Sequence, residues 1–494
     1  MQQISRRLFL RGAGATLAAL SLPGGWLRPP AAAGSGPTDS EVDRILAAAL
    51  EDGGHYADLF LETRTRTSIS IADSEIRSME YGIIQGGGVR TLSGEKTGYA
   101  FSESLDAEDL TRAAKTAASI ARRGAPTRPV SVSEIAVPEI IGAEEPIGDT
   151  PIGAKVALLE RVDRAARAAG GAIGQVNIDY TDEAQRFSIA NSAGIAAHDE
   201  TPVIYLRVTV TATRNGVNAE GSYRLSARRG MELLAGEAPE RAGREAAEQA
   251  IRMLDARPAP TGEMPVVVAA GGGVMFHEAV GHGLEADAVI RNASVFAGRV
   301  GERVASDLVT LYDDGTVPGA RGSFNIDDEG TLPSKSLLIE KGRLIGYMQD
   351  RRTAHRMRES STGNGRRMSY RHPVVVRMSN TYVAPGSADP EEVIRDTDRG
   401  IYAVSFGGGE VDPGSGQFTF GLREAYLIEN GRVTAPIRGA NLVGSGPDVL
   451  LGIDRVASDY DVWPGTCGKA DQWVPVTSGC PTLRIAKLTV GGTA

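Results

Sequence analysis

The chain runs to 494 residues with a formal net charge of −9, 41% hydrophobic and 23% charged residues. That is more chain than one core normally holds, so two or three units are expected, and no apolar run reaches the roughly eighteen residues of a membrane span. The acidic balance argues against nucleic acid or anionic lipid as partners, and without a complete phosphate-binding glycine motif nothing points to a nucleotide cofactor.

In chain order, Ser5-Arg6-Arg7-Leu8-Phe9-Leu10-Arg11 precedes a weakly apolar stretch from Gly12 to Leu22 and the small residues Ala31-Ala32-Ala33. The pattern reads as a twin-arginine export signal over residues 1–33, which would carry an already folded protein to the periplasm or the outside. Its four arginines face no acid, so cleavage would take the formal charge to −13. A small α+β unit is expected over 40–125. Ser40-Glu41-Val42-Asp43 opens its first helix, short strands follow at 57–62, 67–72, 76–85 and 89–93, and a second helix covers 106–123. The Pro-rich 126–151 leads to a middle α+β unit over 150–257, with helices at 155–169 and 237–254 and strands at 175–181, 187–191 and 203–213. Triple glycines at 86–88, 271–273 and 407–409 read as turns. The largest unit, 262–490, is expected to be β-rich with long loops around one short helix, so the fold class is strand-rich α+β. Within it, Arg351 to Arg367 reads as a solvated mobile loop or, more sharply, a substrate lid.

The chemistry concentrates after a buried strand at Met264 to Ala270 and a break at Gly271-Gly272-Gly273. A helix opening at Val274-Met275-Phe276 carries His277-Glu278 and, five residues after the first histidine, His282. Two neutral imidazoles and a carboxylate are the parts needed to hold a metal and to take a proton from the water it activates. Only six histidines occur in the chain, so two beside one glutamate are hard to ascribe to packing. Five steps place the second histidine about 140° round an ideal helix, so the turn must widen, and Gly281 is a permissive place for a π-type bulge. A third protein ligand is needed; periodicity leaves Glu285, Asp287 and Cys467 all open. His355 and His372 read as structural. Cys467 and Cys480 are the only cysteines, so a disulfide between them competes with a thiolate ligand.

Taken in order, H-E-A-V-G-H-G-L-E at 277–285, G-N-G-R-R at 363–367, R-M-S-N-T-Y at 377–382, F-G-G-G-E-V-D at 406–412, E-A-Y-L-I-E-N-G at 424–431, G-S-G-P at 444–447 and G-T-C-G-K at 465–469 resemble the TldD/PmbA family. Over roughly 55–490 the likeness is to its TldD-type metallopeptidase subunit. The resemblance implies zinc (Zn2+) held by His277, His282 and Cys467, with Glu278 as general base in the hydrolysis of flexible or unfolded peptides. It further implies a peptide bound as an added strand and pairing with a PmbA/TldE-type partner subunit, or a homodimer. Cys480 stands where the family usually has glutamine, and His55 where it usually has an acid. The competing expectations are a non-catalytic binding subunit, which would have no use for Glu278, and another zinc amide hydrolase.

Overall fold

A computed structural model describes residues 36–122 and 124–492; the twin-arginine segment lies outside the described residues. Helix α1 (Asp39–Ala49) is capped by Thr38, two residues before the expected Ser40. Glu41 reaches back to the Thr38 N–H at 2.8 Å, because a capping box needs the longer acid three residues after its cap. Strands β1 (Tyr56–Ala72) and β2 (Glu75–Ser93) are each unbroken, where four short strands were expected. The polar Thr63 to Arg66 is therefore strand and not loop: Arg64 bonds to Glu62 at 2.8 Å and to the Met368 carbonyl at 2.7 Å, on the sheet face that meets the C-terminal half. Gly86 to Gly88 lie inside β2 and are not a turn. A Cβ on Gly86 would stand 2.4 Å from the Tyr370 ring, and one on Gly88 2.0 Å from Tyr99 Oη, so the glycines admit close approach.

Next come β3 (Lys96–Ser102), α2 (Ala107–Ala121), α3 (Ile152–Ala168), β4 (Ile173–Asn191), β5 (Ile195–Arg214), β6 (Val217–Ala227) and α4 (Ala238–Met253). The strands form one seven-stranded sheet in the order β3-β2-β1-β4-β5-β6, with the short Ser133–Glu134 strand also against β5. Because β1 pairs β4 from Asp58↔Asn191 to Ala72↔Asn177, strands from before and after the Pro-rich connector share this sheet. Alternation divides its faces. Ile204, Leu206, Val208 and Val210 of β5 pack with Val156, Leu159 and Val162 of α3 and Ala246 and Ala250 of α4, each large aliphatic contributing about 1.5–3 kcal/mol of burial. Tyr205 and Arg207 point the other way, toward the C-terminal half.

That half contains β7 (Gly262–Val268), α5 (Val274–Ala279), β8 (Leu311–Asp314), β9 (Asn380–Val383), β10 (Arg399–Val411), β11 (Gln417–Glu429), β12 (Ala440–Ser445), β13 (Asp461–Lys469), β14 (Gln472–Cys480) and β15 (Leu483–Gly492). Five strands close a ring, β10-β7-β15-β12-β11 and back to β10. Gly407 to Gly409 lie in β10 and are not a turn; a Cβ on Gly409 would meet the Phe420 ring at 2.0 Å. A six-stranded sheet places β14 between β9 and the edge strand β13. Among the described residues no helix is long and apolar enough to cross a membrane.

The Arg351 to Arg367 stretch is part exposed and part buried, not a solvated loop throughout. Arg351–Met357 is a helix capped by Asp350, whose Oδ1 accepts from the Thr353 N–H at 2.7 Å, and Asn364, Arg366 and Arg367 are buried. Arg367 enters an ion knot joining the two halves: Arg90 donates to Asp58 at 2.7 Å and to Glu329 at 2.5 Å, and Arg367 to the other Asp58 oxygen at 3.0 Å. All four side chains are essentially inaccessible. Removing the shared acceptor would leave two buried guanidinium groups facing each other. Asp58→Ala is therefore expected to lower unfolding free energy by about 3–5 kcal/mol in urea titration. Glu200→Ala, which breaks the half-exposed pair with Arg186, should stay within about 1 kcal/mol.

Candidate metal centre

The segment between β7 and β8 is shaped by close packing. β7 ends in Val266-Val267-Val268, all buried, and Gly271 turns the chain with φ +86°. A Cβ at Gly273 would lie 2.6 Å from the Gly479 backbone. Helix α5 then buries Met275, Phe276 and Ala279 and stops at Val280 (φ −125°, ψ −48°), after which Gly281–Leu284 forms a 3₁₀ turn. The π-type bulge expected at Gly281 is thus replaced by a helix break. Gly281 serves packing, since a Cβ there would meet Met378 Sδ. The break is what turns two histidines five residues apart toward one point.

The third member comes from β13. Cys467 lies on the strand, opposite Val474 of β14, and Arg377 locks the hairpin by donating to the Cys467 carbonyl and, at 3.2 Å, to that of Gln472. One ligand atom from each of His277, His282 and Cys467 lies within 4.8 Å of the others. Cys467 Sγ is 3.3 Å from His282 Nε2, and Glu278 Oε2 is 3.5 Å from the same nitrogen, with its side chain one quarter exposed. Glu285 and Asp287 do not join the group. Glu285 Oε2 accepts from His282 Nδ1 at 2.8 Å and from Lys469 Nζ at 2.9 Å, and Lys469 also donates to Asp287 at 2.7 Å and to the Val376 carbonyl at 3.0 Å.

The electrostatics follow from that arrangement. Burial would raise the Cys467 thiol, but the His282 and His277 rings hold it down at about 5. Burial likewise opposes charge on Glu285, yet Lys469 and His282 bring its carboxyl to about 2. Glu278 also sits below the usual carboxylate range despite burial, through His282 and His277. Both nitrogens of buried His277 lack a hydrogen-bond partner, a state that is costly unless a ligand takes the lone pair. Two imidazoles and a thiolate converging on one point suit a borderline-soft divalent ion, and His282, giving Nδ1 to a carboxylate, is set to offer Nε2.

Elsewhere, His55 and His355 stack with centroids 4.1 Å apart, and His372 contacts Ser369 Oγ at 2.9 Å. No disulfide joins the two buried cysteines; Cys480 points at the Ala269 carbonyl at 3.6 Å, and burial pushes its thiol up. The residue missed in sequence is Lys469. Its spacing of two from Cys467 on a strand, hence the same face, was the available signal.

Family models match in three consecutive parts: the PmbA/TldA metallopeptidase domain 1 over 57–121, the central domain over 145–254 and the C-terminal domain over 261–492. A metalloprotease TldD homolog from Haemophilus influenzae is 40% identical over 450 residues, covering 89% of this chain and 93% of the relative. A zinc metalloprotease TldD homolog from Saccharolobus solfataricus is 34% identical, over 49% of this chain and 54% of its own. Two solved structures share the fold. One, from Thermotoga maritima and described as a candidate modulator of a DNA gyrase, has TM-score 0.77 at 21% identity over 92% of this chain and all of its own. The other, TldE from Thermococcus kodakarensis, has TM-score 0.72 at 19% identity over 92% and 100%.

The folded thiol titrates below an unfolded one, so its ionisation stabilises the fold at neutral and alkaline pH and that contribution fades as pH falls through about 5. In metal-free protein, ultraviolet thiolate absorbance should accordingly appear with a midpoint near 5, vanish in Cys467→Ser and persist in Cys480→Ser. A midpoint at the ordinary thiol value of about 8.5 would contradict the arrangement.

Proposed function

Because the chain belongs to the PmbA/TldD metallopeptidase family, we propose that it is a zinc-dependent peptidase acting on flexible or unfolded peptides, with residues 262–490 as the unit that carries the chemistry. The observation that carries this reading is the convergence of His277, His282 and Cys467 beside a partly open Glu278. The three would hold the ion, which when bound supplies Lewis acidity to a water and to the scissile carbonyl. Glu278 is placed to accept the proton of the attacking water. A carboxylate is ionised at neutral pH even at its ordinary pKa, and the same carboxyl would then return the proton to the leaving amine. His282 is kept in one ring orientation by Glu285, and Arg377 ties β13 to β14 by donating to the Cys467 and Gln472 carbonyls. A PmbA/TldE-type partner subunit, or a second copy, completes the proposal, as does twin-arginine export to the periplasm or beyond. Export of a folded chain fits a buried thiolate site, which can be loaded in the cytoplasm while the thiol is reduced.

Glu278→Gln should retain stoichiometric zinc and lose about 100- to 10,000-fold in peptide cleavage, measured by peptide mapping against the wild type with and without chelator. Near-normal turnover in the zinc-loaded variant would sink the mechanism. For export, replacing Arg6 and Arg7 with lysines should leave folded, metal-loaded precursor in the cytoplasm. Fractionation that finds the lysine form outside in normal amounts would overturn that part alone.

A further inference from the structure

The face of the first sheet turned toward β13 gathers arginines that have no direct ion-pair partner in the protein. Arg207 of β5 and Arg224 of β6 are direct cross-strand partners, a pairing of like charges that costs stability, and each has a buried Nε with no hydrogen-bond partner. Arg224 lies 5.0 Å over the Trp463 ring of β13, and Arg321 5.2 Å over the Tyr205 ring. Arg321 also donates to the Gly465 carbonyl at 2.8 Å and to Thr466 Oγ1 at 3.1 Å. Those two residues immediately precede Cys467. Arg228, only 7% exposed, gives its Nε to the Arg321 carbonyl at 3.1 Å.

Among the described residues none of these four guanidinium groups makes an ion pair within 4.0 Å; their hydrogen bonds go to carbonyls and hydroxyls. The acids within electrostatic reach bond to other partners, although Asp199 keeps one buried oxygen, Oδ2, without a hydrogen-bond partner. Glu183 pairs with Arg64 and Arg66, each at 3.4 Å, Asp199 accepts from Asn325 at 2.9 Å, and Asp328 accepts from the Arg367 N–H at 2.7 Å. Burial pulls Arg228 and Arg321 down to about 10; Arg321 adds to the effect at Arg228, with Asp199 and Asp328 opposing it, and at Arg321 Tyr205 and Glu183 oppose it ahead of the Arg366 and Arg224 contributions. A chain of net charge −9 that spends stability on four unpaired arginines beside its candidate metal centre is built to receive an anion.

We infer that Arg207, Arg224, Arg228 and Arg321 form a carboxylate-binding subsite that positions a peptide against the metal centre, an inference that rests on the peptidase reading. Guanidinium forks match a carboxylate in shape as well as charge, which favours that group over a neutral amide. The carboxylate belongs either to the peptide C-terminus or to an acidic side chain.

Four versions of one flexible peptide separate these sources: free C-terminus without acids, amidated C-terminus, amidated with one glutamate, and amidated with glutamine in its place. Binding is read by fluorescence anisotropy on the zinc-loaded Glu278→Gln protein, so no turnover is required. The carboxylate-bearing member of at least one pair should bind about 10- to 100-fold tighter. That advantage should shrink with added salt and disappear in Arg207→Gln and Arg224→Gln with zinc content unchanged. An advantage in the acid–amide pair assigns the C-terminal carboxylate; one in the glutamate–glutamine pair assigns a side chain. Equal binding within both pairs, no peptide binding, or an advantage indifferent to salt and to both variants overturns the subsite. If the carboxylate preference holds while wild-type protein cleaves none of the four, the subsite stands and the peptidase reading falls.

Discussion

One buried chain of charge, His282 to Glu285 to Lys469, holds the candidate metal centre together. Glu285 and Lys469 are 184 residues apart in sequence and 2.9 Å apart in space, so this contact fastens the end of the histidine segment to the strand that presents Cys467. Neither ion is stable alone: desolvating a carboxylate or an ammonium costs several kcal/mol, which only close, fully bonded partners offset. Lys469 meets that condition with two carboxylates and a carbonyl; Glu285 meets it at Oε2, which takes an ammonium and an imidazole, while its buried Oε1 has no hydrogen-bond partner. The chain also fixes how the ring of His282 is presented, because giving Nδ1 to Glu285 directs Nε2 toward Cys467 and Glu278.

The same logic operates at larger scale where the seven-stranded sheet meets the C-terminal half. One face of that sheet is aliphatic and packs on α3 and α4; the other combines polar contacts across the boundary with an apolar cluster in which Phe60, Phe187 and Ile189 meet Ile326 and Tyr370. Asp58, Arg90, Glu329 and Arg367 form a closed knot with balanced charge. A few strands away the balance fails, with Arg207 facing Arg224 and no acid paired to either. Balanced charge marks the joint, and the unbalanced pair, partly buried, marks the face proposed to receive a carboxylate, since drawing an unpaired cation out of water costs free energy.

Much of the fold was legible because its signals are local. The 3.6-residue period located α2 and α4 to within two residues, and the apolar run Met264 to Ala270 marked β7. The misreadings share a cause. Polar residues at 63–66 and glycines at 86–88 and 407–409 looked like loops and turns, yet each lies within a strand because another part of the chain approaches it closely. Arg366 and Arg367 looked solvated and are buried, their charge met by distant carbonyls and carboxylates.

By itself the sequence determined the α+β class, the placement of most helices, and the pairing of His277 and Glu278 with a second histidine nearby. Those features depend on spacing within a turn or two of chain, where backbone periodicity dictates which side chains share a face. Residue spacing left Cys467, Glu285 and Asp287 open and the family resemblance named Cys467; the tertiary structure shows that Cys467 stands with the histidines, that Lys469 binds the two acids, and that four arginines meet without an ion-pair partner. These outcomes rest on strand register between segments far apart in sequence. A shift of one residue would turn Cys467 and Lys469 to the opposite face, and no local pattern records that register.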